Sequence, residues 1–291
     1  MNSNPLAEVF GFPIDNRTPE GERYRKNKLC PFNNKVPSCT KDKANDPLGV
    51  CSIFEEGRTV VTCPVRFRED WLIAEDAAQF FFKANASWTS IAEARLNDKD
   101  GNTAGNIDLV LVSYDERGRV LEFGSLEIQA VYISGNVRRP FERYMSFRQR
   151  SGDFTWSGPN FPKGDFLSSS RKRLAPQMLY KGGILKAWKK KQAVALQTSF
   201  FETLPKLKEA RKSKADIAWL LYDLKLDKKT NRFKLTQNKI VYTEFESALM
   251  QITTAEPGKI EDFIDVLQQK LDEKLEGNPP DAPTLTDLTL T

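Results

Sequence analysis

Two apolar stretches joined by a four-residue turn constrain this fold more than any other feature of the 291-residue chain. Ile107 to Tyr114 and Val120 to Ile133 flank Asp115-Glu116-Arg117-Gly118. Runs of this composition around an Asp/Gly turn predict an antiparallel β-hairpin. The pleat places Asp108, Val110 and Val112 on one face of the first strand, and Glu127, Gln129 and Val131 on one face of the second. Leu126, Ile128 and Ala130 turn the other way and are apolar. Asp108, Glu127 and Gln129 are therefore expected to converge on one side of a hairpin whose other side is buried.

Two carboxylates held together in a poorly solvated place repel by several kcal/mol. A divalent cation between them relieves that repulsion, and oxygen ligands suit Mg²⁺. The spacing, Asp108 then Glu127-Ile128-Gln129, follows the Asp…Glu-x-Lys nuclease pattern with Gln in the lysine position. The same residues also fit an ordinary polar strand edge. Their apolar setting, and the basic stretch that begins at Arg138-Arg139, favour chemistry.

The chain has no histidine. That absence excludes Ser-His-Asp and Cys-His triads, two-His-one-carboxylate sites and every histidine base. Carboxylates, amides, Lys, Tyr or a hydrated metal must carry any catalysis.

Charge is uneven. Lys and Arg number 44 against 39 Asp and Glu, a net of +5. Residues 130–215 alone hold nineteen basic and five acidic residues. A basic block of this length points to a polyanion partner, because each neutralised phosphate releases counterions. Solvated helix faces are the plainer alternative.

The remaining organisation is coarser. Residues 1–69 read as an irregular lobe rich in turn formers (Pro31, Asn33, Asn34, Pro37, Pro47, Gly49), too poor in periodic apolar stretches to build much core alone. From Asp70 to Leu96 the pattern is helical, with Ser90-Ile91-Ala92-Glu93-Ala94 as a further helical stretch. Ser151 to Ser170 reads as a long surface loop, Leu174 to Trp188 as a basic helix, and 216–224 and 239–245 as strands. Ile260, Phe263, Ile264, Leu267, Leu271 and Leu275 mark a last amphipathic helix. The tail 277–291 is expected to be disordered. Residues 70–276 form the main domain in this division.

No targeting segment and no apolar run long enough to span a membrane are present, so a cytoplasmic protein is expected. All four cysteines, Cys30, Cys39, Cys51 and Cys63, lie in the N-terminal lobe, with gaps of 8, 11 and 11 residues. Metal ligation, buried free thiols and disulfides are all open to them. Without a signal peptide disulfides are disfavoured, and a thiolate site would take Zn²⁺ or iron.

Leu29-Cys30-Pro31-Phe32, Ser38-Cys39, Gly49-Val50-Cys51 and Thr62-Cys63-Pro64, followed by Leu126-Glu127-Ile128-Gln129 and Gln177-Met178-Leu179-Tyr180-Lys181, resemble the NotI family of type II restriction endonucleases. The resemblance implies an α/β fold of the restriction-endonuclease PD-(D/E)xK type. In it a mixed central sheet is flanked by helices, beside an irregular N-terminal metal-binding lobe. It implies a homodimer that cleaves double-stranded DNA at a G/C-rich palindrome, with Asp108, Glu127 and the Ile128 carbonyl holding Mg²⁺. Gln129 would stand in the lysine's place. Glu93, fifteen residues before Asp108, would be a helix-borne carboxylate near a second metal. Cys30, Cys39, Cys51 and Cys63 would hold a structural iron, with Zn²⁺ the alternative.

Arg138, Arg139, Arg143, Arg171, Lys172, Arg173 and Lys181 are the expected DNA contacts. Most would grip phosphates, and one or two arginines would read guanine. Two other functions compete: a repair or recombination nuclease on the same core, and a non-catalytic, metal-stabilised DNA-binding protein.

Overall fold

The turn-rich N-terminal segment folds more regularly than its composition suggests. In the computed structural model, which describes residues 4–43, 45–147 and 161–277, Leu6–Val9 (β1), Phe12–Pro13 (β2), Val50–Glu55 (β3) and Arg58–Val61 (β4) pair antiparallel in the order β2-β1-β3-β4. The expectation of an irregular lobe is thereby corrected. β1 and β2 are short and buried along their whole length, so they carry no in-out alternation to read. Pro19–Lys26 (α1) starts where Thr18 accepts a hydrogen bond from the Gly21 amide and ends with Arg23, Arg25 and Lys26, a charge order that suits the helix dipole.

Leu72–Phe81 (α2) buries Ile73, Ala74, Ala77, Ala78, Phe80 and Phe81. The helical pattern does not continue beyond it. Trp88–Asn97 (β5) is an edge strand, which corrects the helix expected at Ser90-Ile91-Ala92-Glu93-Ala94; it pairs antiparallel with Thr103–Tyr114 (β6). Ala and Glu favour helix by only roughly a few tenths of a kcal/mol each, and a full ladder outweighs that.

The predicted hairpin forms. β6 pairs antiparallel with Val120–Gln129 (β7). In the turn, Asp115 Oδ1 accepts from the amides of Arg117 and Arg119 at 2.9 Å each, and Gly118 takes φ +74°, where only glycine is unstrained. The second strand ends earlier than expected: Tyr132–Ser134 (β8) leaves the sheet and pairs with Lys163–Asp165 (β9), with Arg138–Phe147 (α3) between them. β9 and the helical turn after it lie within 151–170, read above as a loop; 151–160 fall outside the described residues.

Residues 166–187 form one helical run with π-turns at Ser170–Leu174 and Met178–Gly182. It leads into Gln192–Gln197 (β10), parallel to β7 and to Ile217–Asp227 (β11). Arg232–Thr243 (β12) closes the far edge antiparallel to β11. The product is a mixed six-stranded sheet, β12-β11-β10-β7-β6-β5.

Helices flank this sheet. One face packs on α2 through Leu109, Leu111, Leu126, Ile128, Ala193 and Ala195. The other carries Val194, Leu196, Trp219 and Leu221, clustered with Leu174 and Met178 of the helical run and Leu6 and Val50 of the lobe. Close approach fixes Gly124 in β7: a Cβ there would meet the Phe81 ring at 2.5 Å.

Residues Met1–Thr253 make one compact unit and Thr254–Thr291 another. In the second, Ile260–Gly277 is the expected amphipathic helix, and residues 278–291 of the tail lie outside the described ones. Among the described residues no helix is long and apolar enough to cross a membrane.

Candidate active site

The ladder between β6 and β7 ends at Leu109↔Leu126. One step beyond, Asp108 stands opposite Glu127. Its Oδ2 accepts the Ile128 amide at 2.8 Å, replacing the backbone acceptor that the parting strand withdraws. Glu127 remains paired on its other side, opposite Val194 of β10. Glu127 is 1% exposed, and its carboxyl group feels the charge of Asp108. Burial first, and the Asp108 charge second, push the Glu127 carboxyl up to about 7, against the pull of Lys181.

Lys181 supplies the balancing charge. Its Nζ lies 2.7 Å from the Glu127 carboxylate, is aligned to donate to Oε2, and also donates to the Asn106 carbonyl at 2.9 Å. Glu127 Oε1 is buried and lies 2.7 Å from the same Nζ as an ion-pair contact, without the alignment of a hydrogen bond. Gln129, also buried, donates through Nε2 to Gln177 Oε1. Gln177 and Lys181, four residues apart on the helical run, thus cover Gln129 and Glu127 of β7. Two carboxylates facing one another beside the sheet, one of them buried, fit a hard divalent cation, with Asp108 and Glu127 as its side-chain ligands.

Three expected site residues hold other places. Glu93 is strand-borne, not helix-borne: it lies between the pairs Ala92↔Leu109 and Ala94↔Ile107 and so opposite Asp108. Its φ of +57° is strained for a non-glycine residue. Its exposed carboxylate pairs with Lys35 of the lobe at 3.1 Å. Lys181 is buried against Glu127 rather than presented at the surface. Arg138, on α3, is held by Asp42 and Asp46 of the lobe at 2.5 and 2.9 Å.

The other basic residues face outward. Arg139 and Arg143 are exposed on α3. Arg171 and Lys172 lie exposed on the helical run, and Arg173 stacks 3.5 Å above the centre of the Tyr132 ring. Leu174, Met178, Lys181 and Leu185 form the buried side of the same run. One element therefore carries basic residues outward and reaches the carboxylates inward. Reading the sequence for basic residues missed the inward role of Lys181. The usable signal was its four-residue spacing from Gln177, together with the missing strand lysine at 129.

In the lobe, the antiparallel Leu29↔Ser38 bridge sets Cys30 and Cys39 diagonally across it, and the β3–β4 pairing brings Cys51 and Cys63 near one another. All four thiols are free. Burial, followed by repulsion from neighbouring thiolates, pushes Cys51 well up and Cys30 to about 11. Cys63 acts electrostatically on the other three. Among the described residues no three Cys, Asp or Glu side chains close into a metal-holding group; the sulfurs share a lobe without forming a coordination sphere.

A family model described as restriction endonuclease NotI matches residues 8–235, a span that takes in the cysteine lobe, the hairpin and the whole helical run. The curated proteins contain no match to the chain.

Proposed function

The chain belongs to the NotI restriction-endonuclease family, and from that premise we propose that it hydrolyses double-stranded DNA at a G/C-rich palindrome, with Mg²⁺ held by Asp108, Glu127 and the Ile128 carbonyl of a PD-(D/E)xK-type core. As a member of that family it is a site-specific deoxyribonuclease. The observation that carries the mechanism is the placing of Asp108, fixed by the Ile128 amide, opposite the buried Glu127 carboxylate where the β6–β7 ladder opens.

Hydrolysis joins a water oxygen to phosphorus as an ester P–O bond breaks, the leaving oxygen taking a proton. A cation bound by the two carboxylates would acidify the attacking water and offset charge growing on the phosphate. The residues do the rest. Asp108, fixed by the Ile128 amide, keeps one carboxylate at the mouth of the opened ladder. Glu127 is prevented from rotating by Lys181. Gln129 has one N–H engaged by Gln177, which leaves its second N–H and its carbonyl to orient water. It carries no charge, so the cation bears more of the electrostatic work than it would beside a strand lysine.

DNA is gripped by Arg139, Arg143, Arg171, Lys172 and Arg173, with Arg138 first to be released from Asp42 and Asp46. A homodimer matches the twofold symmetry of a palindrome. Cys30, Cys39, Cys51 and Cys63 hold iron, or Zn²⁺ in its place, in the 1–69 lobe. The sulfur-only donor set supports this assignment, and binding would draw the thiols together as thiolates. With DNA as substrate, the enzyme acts in the cytoplasm of a prokaryotic cell.

Digestion of a DNA of known sequence in Mg²⁺, followed by mapping of the ends, tests the proposal. Discrete ends at one G/C-rich palindrome are expected. Random degradation, or tight binding without turnover in Mg²⁺ or Mn²⁺, would contradict it.

A further inference from the structure

A lysine seldom sits fully buried, and a buried Lys–Glu pair rarely stabilises a fold more than apolar residues of the same volume would. Lys181 is nonetheless 3% exposed, and its partner is the more buried of the two carboxylates assigned to the hydrolytic site. Its surroundings hold it tightly. It sits in the π-turn Met178–Gly182, a distortion that concentrates at functional sites. The next residue, Gly182, leaves no room for a Cβ, which would meet the Phe245 ring at 2.6 Å. Across the sheet, the Lys181 stem passes Gly105, itself at φ +111°. The π-turn, the close approach at Gly182 and the ordinary contact with Gly105 thus aim one ammonium group at one carboxylate.

That ammonium has three N–H donors. Two are aligned, on Glu127 Oε2 and on the Asn106 carbonyl, while Glu127 Oε1 also lies 2.7 Å from Nζ without accepting an aligned bond. The strand position two residues after Glu127, which shares its face, is the uncharged Gln129. The helical run therefore brings to the site a positive charge that β7 does not carry.

We propose that Lys181 is a catalytic residue, delivered from the helical run, whose remaining N–H donates to a non-bridging oxygen of the scissile phosphate, and that Gln177 positions the Gln129 amide beside it. The proposal rests on the reading of Asp108 and Glu127 as the hydrolytic pair. Lys181 then serves two anions in turn: it holds Glu127 in place before DNA arrives and offsets charge on the phosphate as the water attacks.

The test compares the full-length parent, Lys181→Met, and the double variant Gln129→Lys/Lys181→Met on a duplex carrying the mapped site. Single-turnover cleavage is followed in Mg²⁺, duplex binding in EDTA, and thermal unfolding alongside. Lys181→Met is expected to slow cleavage by about 10²-fold or more, with duplex affinity within about threefold of the parent. The double variant is expected to recover roughly tenfold or more of the lost rate, because the charge returns to the same face from the strand.

Lys181→Met can unfold the chain by leaving Glu127 without a cation. The double variant restores that cation, so the test then rests on its rate against the parent's. Lys181→Met cleaving at the parent's rate would overturn the proposal. So would a double variant that folds and binds DNA but gains nothing over Lys181→Met, or, where only it folds, one slower than the parent by about 10³-fold. A parent that cleaves nothing would instead overturn the hydrolytic reading itself, a result distinct from either.

Discussion

Glu127 holds one side chain in three conflicting environments: it is buried, it faces another carboxyl group, and it pairs with an ammonium. Burial and Asp108 together win over Lys181, so its carboxyl titrates near 7 instead of at its ordinary 4.5. A group whose folded value is raised binds its proton more tightly when folded. Its stabilising contribution is complete below about pH 4.5 and is lost as pH rises through about 7, a change on the order of 3 kcal/mol. Thermal unfolding in EDTA should therefore fall more steeply between pH 5 and 8 for the parent than for Glu127→Gln. Parallel curves would show that Glu127 is not so perturbed. The carboxylate pair was legible from pleat alternation alone, because Asp108 and Glu127 interrupt otherwise apolar strands. Lys181 was not legible, because helical spacing does not say which face of a basic helix turns inward.

At the scale of elements, the lobe is joined to the sheet by a buried ion network. Arg66 is fully buried and donates to Glu8 of β1 at 3.0 Å, to Glu69 at 2.7 Å and to the Phe233 carbonyl of β12 at 2.9 Å. Removing its charge leaves Glu8 buried without a cation, which costs about 3–5 kcal/mol. The Arg138 links to Asp42 and Asp46 tie α3 to the same lobe across exposed surface, where such pairs contribute about 0–1 kcal/mol. Urea unfolding should thus separate Arg66→Met, strongly destabilised, from Arg138→Ala, nearly unchanged. Equal effects would mean that the buried network does not hold the lobe.

The hairpin was readable at this scale because turn chemistry and apolar runs agreed. β5 was not, because an edge strand of small residues carries a weak pattern and its identity comes from its partner β6. The π-turns were also hidden, since no local residue type announces them.

At the scale of the whole molecule, the basic stretch and the carboxylates belong to one design: the helical run shows Arg171 and Lys172 to the outside and Lys181 to the inside. The cysteine lobe reaches the same region through Lys35, which sits between Cys30 and Cys39 and pairs with Glu93 opposite Asp108. If the four thiols bind iron or zinc, metal content measured by X-ray fluorescence should fall in Cys51→Ser. Its unfolding temperature and DNA affinity should fall with it, since closed thiolate sites contribute on the order of 10 kcal/mol to folding. Full metal content and normal cleavage in that variant would remove the metal from the lobe.

The proposed hydrolysis requires Asp108 and Glu127 to act together through a bound cation. Cleavage of the mapped duplex by the parent and by Asp108→Asn, followed as Mg²⁺ is raised from an EDTA-treated start, tests it most directly. The parent should be inactive without the cation and rise to a plateau with it, while Asp108→Asn should stay lower by about 10²–10³-fold at every concentration. A parent that cuts equally well in EDTA, or an Asp108→Asn variant that reaches the same plateau, would contradict it.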